Sequence, residues 1–261
     1  MTSKILGISR TKIYYRKKLL TRDLSLKDEI EKLHEFHPAY GHKRVAIALK
    51  IGKNRILRVM HKFNLKPPRR RIKRYYTTKS VNQTSYTNLI RNIEATRPSQ
   101  IYVCDLTYIK YQGKFIYLGT VEDIFTREIV SADLSNKHDS NLALSIAEGA
   151  LKKSIPKIFH TDQGTEFMAQ RVTNFLESKS VKVSVSDKGS PWQNGFKESF
   201  YSRFKDENAD LNRFEDLGEL VEEIYSFINY YNNYRIHTSL RMSPAQFKQN
   251  LVESLYEKSG T

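Results

Sequence analysis

Cysteine is nearly absent: the 261 residues include only Cys104. A single thiol builds neither a disulfide framework nor a cysteine-based zinc knuckle. Long apolar runs are absent too. The longest, residues 45–49, has five members, against the ~20 that a membrane-spanning helix needs. No apolar secretion-signal core precedes the basic N-terminal stretch, and no segment repeats. Acidic residues are scarce in the first hundred positions, with 6 Asp and Glu against 25 Lys and Arg. A soluble, cytoplasmic, very basic protein is therefore expected, with no membrane partner.

What is present is unevenly placed. The chain carries a formal net charge of +16, yet residues 101–261 hold 19 Lys and Arg against 22 Asp and Glu. All the excess positive charge lies in the first hundred residues. That asymmetry predicts a polyanion-binding arm ahead of a near-neutral globular domain.

The arm reads as short helices. Ser9-Arg10-Thr11 precedes a basic amphipathic stretch to Leu20, and Ser25 is a candidate cap for a second helix that His37-Pro38 ends. Helices over 43–51 and 55–64, joined by Gly52-Lys53-Asn54, have the order of a helix-turn-helix. In the second of these, Ile56, Val59, Met60 and Phe63 form an apolar stripe. Arg55, Arg58 and Lys62 share the opposite face and are candidate phosphate contacts. A small helical bundle with a solvated charged face is the alternative. Beyond it, Lys66, Arg69, Arg70, Arg71, Lys73 and Arg74 place six cations in nine residues, followed by Tyr75 and Tyr76. Such a run suits a phosphate backbone. We assign 1–76 to this basic helical region and the polar stretch 77–97 to a linker.

From Gln100 the texture changes. Runs rich in Tyr, Ile, Val and Thr over 101–110, 114–121 and 128–134, with a Gln112-Gly113 turn, predict a three-strand meander. Helical periodicity over 141–153, 166–178 and 193–206 alternates with short strands at 157–161 and 181–186. Three strands followed by alternating helix and strand is the order of a ribonuclease H-like α/β domain with a mixed sheet. We place this core at 98–211. A helical extension follows over 212–261, with helices from 217 to 231 and from Ser243-Pro244.

Three carboxylates stand out. Asp105 interrupts the strand Ile-Tyr-Val-Cys-Asp-Leu-Thr-Tyr-Ile, where a charge is costly unless paired or metal-bound. Asp162 ends Ile-Phe-His-Thr-Asp at the carboxyl edge of a strand, the edge where open α/β sheets bind ligands. Glu198 lies one turn into a helix after Gly189-Ser190-Pro191-Trp192. Hard oxygen donors without a Cys or His set specify Mg²⁺, with Mn²⁺ as substitute, and not zinc. The 35 residues between Asp162 and Glu198 also separate Asp187 from Glu223, so local context and not spacing selects the first pair. Asn194, Glu198 and Lys205 are offset by four and seven and share one helix face, which makes Asn194 and Lys205 candidate DNA contacts. His160, two residues before Asp162, reads as a strand-end core histidine.

The strings around these carboxylates carry a family resemblance. Gln-Ile-Tyr-Val-Cys-Asp-Leu-Thr-Tyr-Ile, His-Thr-Asp-Gln-Gly-Thr-Glu-Phe and Ser-Pro-Trp-Gln-Asn-Gly-Phe-Lys-Glu-Ser-Phe resemble the three catalytic motifs of insertion-sequence transposases with a retroviral-integrase-like core. The bacterial group encoded in two overlapping frames is the nearest, this chain resembling the downstream-frame protein. Leu-Gly-Ile-Ser-Arg-Thr-Lys-Ile-Tyr-Tyr, His-Pro-Ala-Tyr-Gly-His-Lys-Arg and Tyr-Tyr-Asn-Asn-Tyr-Arg-Ile-His-Thr-Ser-Leu extend the resemblance over nearly the whole chain. Tyr102 stands where Trp is usual, and Gln193 and Gly195 stand where Asp and Ala are frequent.

The resemblance implies an Asp105–Asp162–Glu198 triad that cuts and joins DNA ends, with Lys205 at the family's basic position. The ribonuclease H-like reading adds two divalent ions per site. DNA ends and target duplex are the expected partners, bound by a homodimer or larger assembly in the nucleoid. An upstream-frame protein bearing another helix-turn-helix and a zipper is a further expected partner. A nuclease of the same fold without strand transfer, and a DNA-binding regulator with a silent core, are the alternatives.

Overall fold

Apolar residues spaced three and four apart build the basic N-terminal region. In the computed structural model, which describes residues 18–67, 85–91, 93–187, 195–208 and 210–259, the chain divides into two compact units between Pro68 and Arg69. The first unit holds α1 (Lys18–Phe36), α2 (His42–Ala48) and α3 (Lys53–Lys62). Leu26 and Ile30 of α1 are buried, as are Tyr40, Val45 and the α3 residues Ile56, Val59 and Met60.

Two local expectations need correction here. Ser25 caps no helix, because the buried positions Asp23, Leu26 and Ile30 form one stripe that runs straight past it. The turn before α3 also comes earlier than Gly52-Lys53-Asn54. Lys50 takes the left-handed conformation (φ 54°), and Ile51 N–H reaches back to the Ala46 carbonyl at 3.1 Å. This Schellman-type closure ends α2, so Gly52 becomes the N-cap of α3. The stretch before Lys18 lies outside the described residues.

The second unit is built on a five-stranded sheet of order β3-β2-β1-β4-β5. Strands β1 (Ile101–Tyr111), β2 (Lys114–Asp123) and β3 (Ile129–Ser135) form the expected antiparallel meander. Gln112 (φ 45°) and Gly113 (φ 78°) are both left-handed, as a type I′ hairpin turn demands. Then follow α4 (Ser140–Lys153), β4 (Ile158–Thr161), α5 (Gln170–Ser178), β5 (Lys182–Val185), α6 (Gly195–Glu207), α7 (Leu217–Asn233) and α8 (Pro244–Ser259). Strands β4 and β5 run parallel to β1 and to each other. An antiparallel meander continued by parallel strands, with helices on both faces, is the ribonuclease H-like arrangement that the element order predicts.

Alternation along β1 sorts its residues between two cores. Tyr102 and Cys104 pack with Ile146 and Ala147 of α4 and Val172 and Leu176 of α5. Ile109 and Tyr111 face the other way, onto Phe200 and Phe204 of α6 and Ile224 and Phe227 of α7. Asp105 has the parity of the second set. The stretch expected to be a linker over 77–97 is a strap from residue 85 onward. Leu89, Ile90 and Ala95 pack on Ile101, Val103, Ile124 and Ile158. Val185 N–H donates to the Thr87 carbonyl at 3.2 Å, and Leu89 N–H to Ser184 Oγ at 2.9 Å. The strap satisfies the free edge of β5.

Candidate active site

Parallel pairing of β1 with β4 brings the first two carboxylates together. The register is Ile101↔Ile158, Tyr102↔Phe159 and Val103↔His160. Two residues further along both chains stand Asp105 and Asp162, at the same level on neighbouring strand paths. Adjacent strands lie roughly 4.8 Å apart, so one ligand fits between two such side chains. Leu106 N–H donates to Asp105 Oδ1 at 2.8 Å, and Gly164 N–H donates to Asp162 Oδ1 at 3.0 Å. Burial pushes the Asp162 carboxyl above its ordinary range, while the Gly164 amide and nearby His138 act the other way.

A further carboxylate, absent from the sequence-based candidates, lies beside Asp162. Glu166 is buried, 4% exposed, with His138 Nε2 at 3.4 Å from its Oε1 and Thr165 Oγ1 at 3.3 Å from its Oε2. Burial and the neighbouring Asp162 both push its carboxyl up. A β-carbon placed on Gly164 would meet Glu166 Oε1 at 2.5 Å and Asp162 Oδ1 at 3.0 Å. The absent side chain at Gly164 therefore leaves room for both carboxylates. The signal in the sequence is the string Asp-Gln-Gly-Thr-Glu, whose glycine allows the turn to close. Helix α5 starts at Gln170, after this turn and not at 166.

Helix α6 carries Glu198 in its first turn. The Glu198 side chain lies outside the described residues, as do all atoms of Asn194. Three residues after Glu198, on the same helix face, Tyr201 donates its hydroxyl to the Asp105 carbonyl at 2.5 Å. Helix α6 is thus fixed at the level of Asp105. Lys205, one turn further on, lies with Nζ 4.6 Å from the centroid of the Tyr108 ring. Burial lowers its pKa and the Asp105 carboxylate opposes that shift. Among the described residues no three His, Cys, Asp or Glu side chains converge as a metal cluster.

His160 is a core residue. It is fully buried, with Nδ1 2.8 Å from Ser184 Oγ and Nε2 3.0 Å from Ser186 Oγ. Burial pushes its pKa down to about 4. It is neutral at neutral pH and ties β4 to β5.

In the first unit, two of the three α3 cations also pair within the fold. Arg55 is exposed. Arg58 donates to Asp23 from both terminal nitrogens, at 2.7 and 2.5 Å, and Lys62 Nζ donates to Asp23 Oδ2 at 2.8 Å. The reason is packing: Asp23 lies on the buried stripe of α1, so its charge needs partners, and α3 provides them. Arg58 and Lys62 remain exposed, at 43% and 38%, while they share this ion-pair network with the buried Asp23. Arg69, Arg70, Arg71, Lys73 and Arg74 lie outside the described residues.

Comparison with known proteins places the same segments in a consistent frame. Integrase core domain families match residues 95–191 and 179–244. The InsK protein of insertion sequence element IS150 from Escherichia coli K12 is 31% identical over 255 residues, covering 92% of this chain and 90% of that protein. The transposase for insertion sequence element IS904 from Lactococcus lactis is 31% identical over 227 residues, covering 83% of this chain and 90% of the relative. A chain of the simian T-cell lymphotropic virus intasome, in complex with PP2A regulatory subunit B56 gamma, superposes with a TM-score of 0.50. That match covers 83% of this chain and 73% of the viral one at 18% identity. At that identity the likeness shows the fold.

Proposed function

Because this chain belongs to the insertion-sequence transposases built on an integrase core domain, we propose that Asp105, Asp162 and Glu198 are its catalytic triad. The protein is an enzyme of DNA transposition, a polynucleotidyl transferase of the Asp-Asp-Glu type. The observation that supports this triad is the β1–β4 register, which sets Asp105 level with Asp162, together with the docking of α6 on the Asp105 carbonyl.

The donor set fits a hard divalent cation. Asp105, Asp162 and Glu198 offer oxygen alone, while the thiol of Cys104 is buried in the opposite core, 3.5 Å from the His160 carbonyl. These three residues would hold Mg²⁺, or Mn²⁺ in its place. Two such ions would supply activation of the attacking oxygen and stabilisation of the leaving one in an in-line displacement. The chain's own part is positioning. Strand pairing fixes the spacing of Asp105 and Asp162, the Gly164 amide orients Asp162, and Lys205 of α6 holds the DNA strand together with Asn194. Water attack on the terminal phosphodiester leaves a free 3′-OH. Attack by that 3′-OH on a second phosphodiester joins the strands, and no covalent protein–DNA intermediate is needed.

The cations of the N-terminal unit and the following run hold the backbone of the element end and target duplex: Arg55, Arg58, Lys62, Arg69, Arg70, Arg71, Lys73 and Arg74. Joining requires two ends at once, so the working form is a homodimer or larger assembly on DNA, with an upstream-frame protein as further partner. No helix among the described residues is long and apolar enough to cross a membrane, and the proposed site of action is the bacterial nucleoid in the cytoplasm.

The test uses purified chain and a labelled duplex bearing an element end, with Mg²⁺, Mn²⁺ or EDTA. Asp105→Asn, Asp162→Asn and Glu198→Gln are each expected to abolish metal-dependent 3′ nicking and joining while duplex binding persists. Cleavage retained by any one variant removes that residue from the triad.

A further inference from the structure

The Tyr201 hydroxyl sits where apolar packing alone would suffice. Its ring lies in the core with Phe200, Phe204 and Leu118, with Phe200 5.4 Å away between centroids. A phenylalanine would fill that volume. The hydroxyl instead enters a defined set of partners. It donates to the Asp105 carbonyl at 2.5 Å, lies 3.3 Å from the Leu118 carbonyl, and accepts from Thr120 Oγ1 at 2.9 Å. The phenol's one hydrogen and one of its lone pairs are thereby used. Thr120 is the residue directly across from Asp105 in the β1–β2 register. The tyrosine therefore grips both strands at the rung that bears the first catalytic carboxylate.

A strand carbonyl is a fixed point. A helix bonded to it through a short, rigid ring has its rotation and its axial position set together. Residues three apart on a helix are neighbours on one face, so whatever sets Tyr201 also sets the turn that carries Glu198.

We propose that Tyr201 is a positioning residue. Through its bonds to the Asp105 carbonyl and Thr120, it holds the α6 turn that bears Glu198 against the strand that bears Asp105, and so tunes the site for its metal. This inference deepens the triad reading above and rests on it. The chemistry it serves is geometric: a divalent site loses affinity when one of its oxygen donors drifts out of place.

The experiment compares full-length Tyr201→Phe, Glu198→Gln and Tyr111→Phe on the element-end duplex. Mg²⁺ binding to the protein is measured by calorimetry, where Tyr201→Phe should weaken it at least fivefold; nicking is measured against Mg²⁺ concentration, and kcat and KM for DNA are measured at 1 mM Mg²⁺. Tyr111→Phe is the control, since it also deletes a partly buried hydroxyl, one bonded to the Phe214 carbonyl at 3.2 Å at the far end of β1. Tyr201→Phe is expected to leave KM unchanged, to raise the Mg²⁺ needed for half-maximal nicking at least fivefold, and to lower kcat at least tenfold at 1 mM Mg²⁺. Mn²⁺ should recover much of that loss, and Tyr111→Phe should keep the wild-type Mg²⁺ curve. An unchanged Mg²⁺ curve for Tyr201→Phe, beside an inactive Glu198→Gln, overturns the positioning role and leaves the triad standing. A fall in kcat that follows only a lower melting temperature overturns it as well. An active Glu198→Gln overturns the triad itself and with it the purpose of the clamp.

Discussion

Arg235 is 1% exposed and its partner Glu207 11% exposed, which makes this pair the deepest ionic contact among the described residues of the catalytic unit. Arg235 Nε donates to Glu207 Oε2 at 2.8 Å and a terminal nitrogen donates to Oε1, a bidentate fork that joins the chain after α7 to the last residue of α6. The guanidinium also lies over the Tyr231 ring, 5.5 Å from its centroid. Removing one partner strands the other charge in a site that excludes water, a loss of ~3–5 kcal/mol. Replacing both by apolar groups of similar size removes the charges together and is near neutral. Arg235→Met should therefore lose ~4 kcal/mol, while Arg235→Met with Glu207→Leu should return to within about 1 kcal/mol of wild type. With a urea dependence near 2 kcal/mol per molar, the single variant's midpoint falls by ~2 M. Far-ultraviolet circular dichroism follows the unfolding transition. A single variant that loses under 1 kcal/mol would show that solvent reaches the pair and would refute the burial argument. A double variant as weak as the single would show that the guanidinium's other contacts dominate.

Two further outcomes test the site and the first unit. Gly164→Ala sets a methyl 2.5 Å from Glu166 Oε1 and 3.0 Å from Asp162 Oδ1, so one carboxylate must move by about an ångström. Cleavage should fall ~100-fold with DNA binding intact, and wild-type nicking rates would show that Asp162 has slack. The Arg58 and Lys62 hydrogen bonds hold the Asp23 carboxyl far below its ordinary range. A depressed folded value means that stability is present above pH ~4 and drains as the pH falls below it. Amide protection in α1, measured as exchange relative to the intrinsic rate at each pH, should fall on acidification in the wild type and much less so in Asp23→Asn; matching profiles for the two would count against the network.

What was legible in the sequence is what strands dictate locally. The β-branched and aromatic runs on either side of Gln112-Gly113 could form little else, and the observed bounds of β1, β2 and β3 differ from the expected ones by one or two residues. Asp105 and Asp162 were visible because a charge inside or at the end of an apolar strand needs a reason. Their equal level was not visible, since it depends on a parallel pairing between segments more than fifty residues apart. Glu166 looked like the first turn of a helix, and only tertiary packing turns it inward against Gly164. Arg58 and Lys62 have the periodicity of a solvated face, and nothing near them in sequence announces Asp23. The strap over 85–97 was hidden for a different reason. Its few apolar residues are dispersed among polar ones, and its backbone groups bond to Ser184 Oγ and the Val185 amide, which composition does not register.

The third carboxylate shows why the remainder resists reading. Asp105 and Asp162 ride on strands, whose ladders fix spacing without help from side chains. Glu198 rides on a helix that has no ladder to its neighbour, so its place depends on particular side chains. Those are Tyr201 and Thr120 at the rung of Asp105, the aromatic contacts of Phe200 and Phe204 with α7, and Glu207 with Arg235 at the far end. They come from β2, α6, α7 and the chain beyond, and none is chemically unusual alone. A catalytic group on a strand can be inferred from its own neighbours in sequence. One on a helix takes its position from residues that only the folded chain assembles.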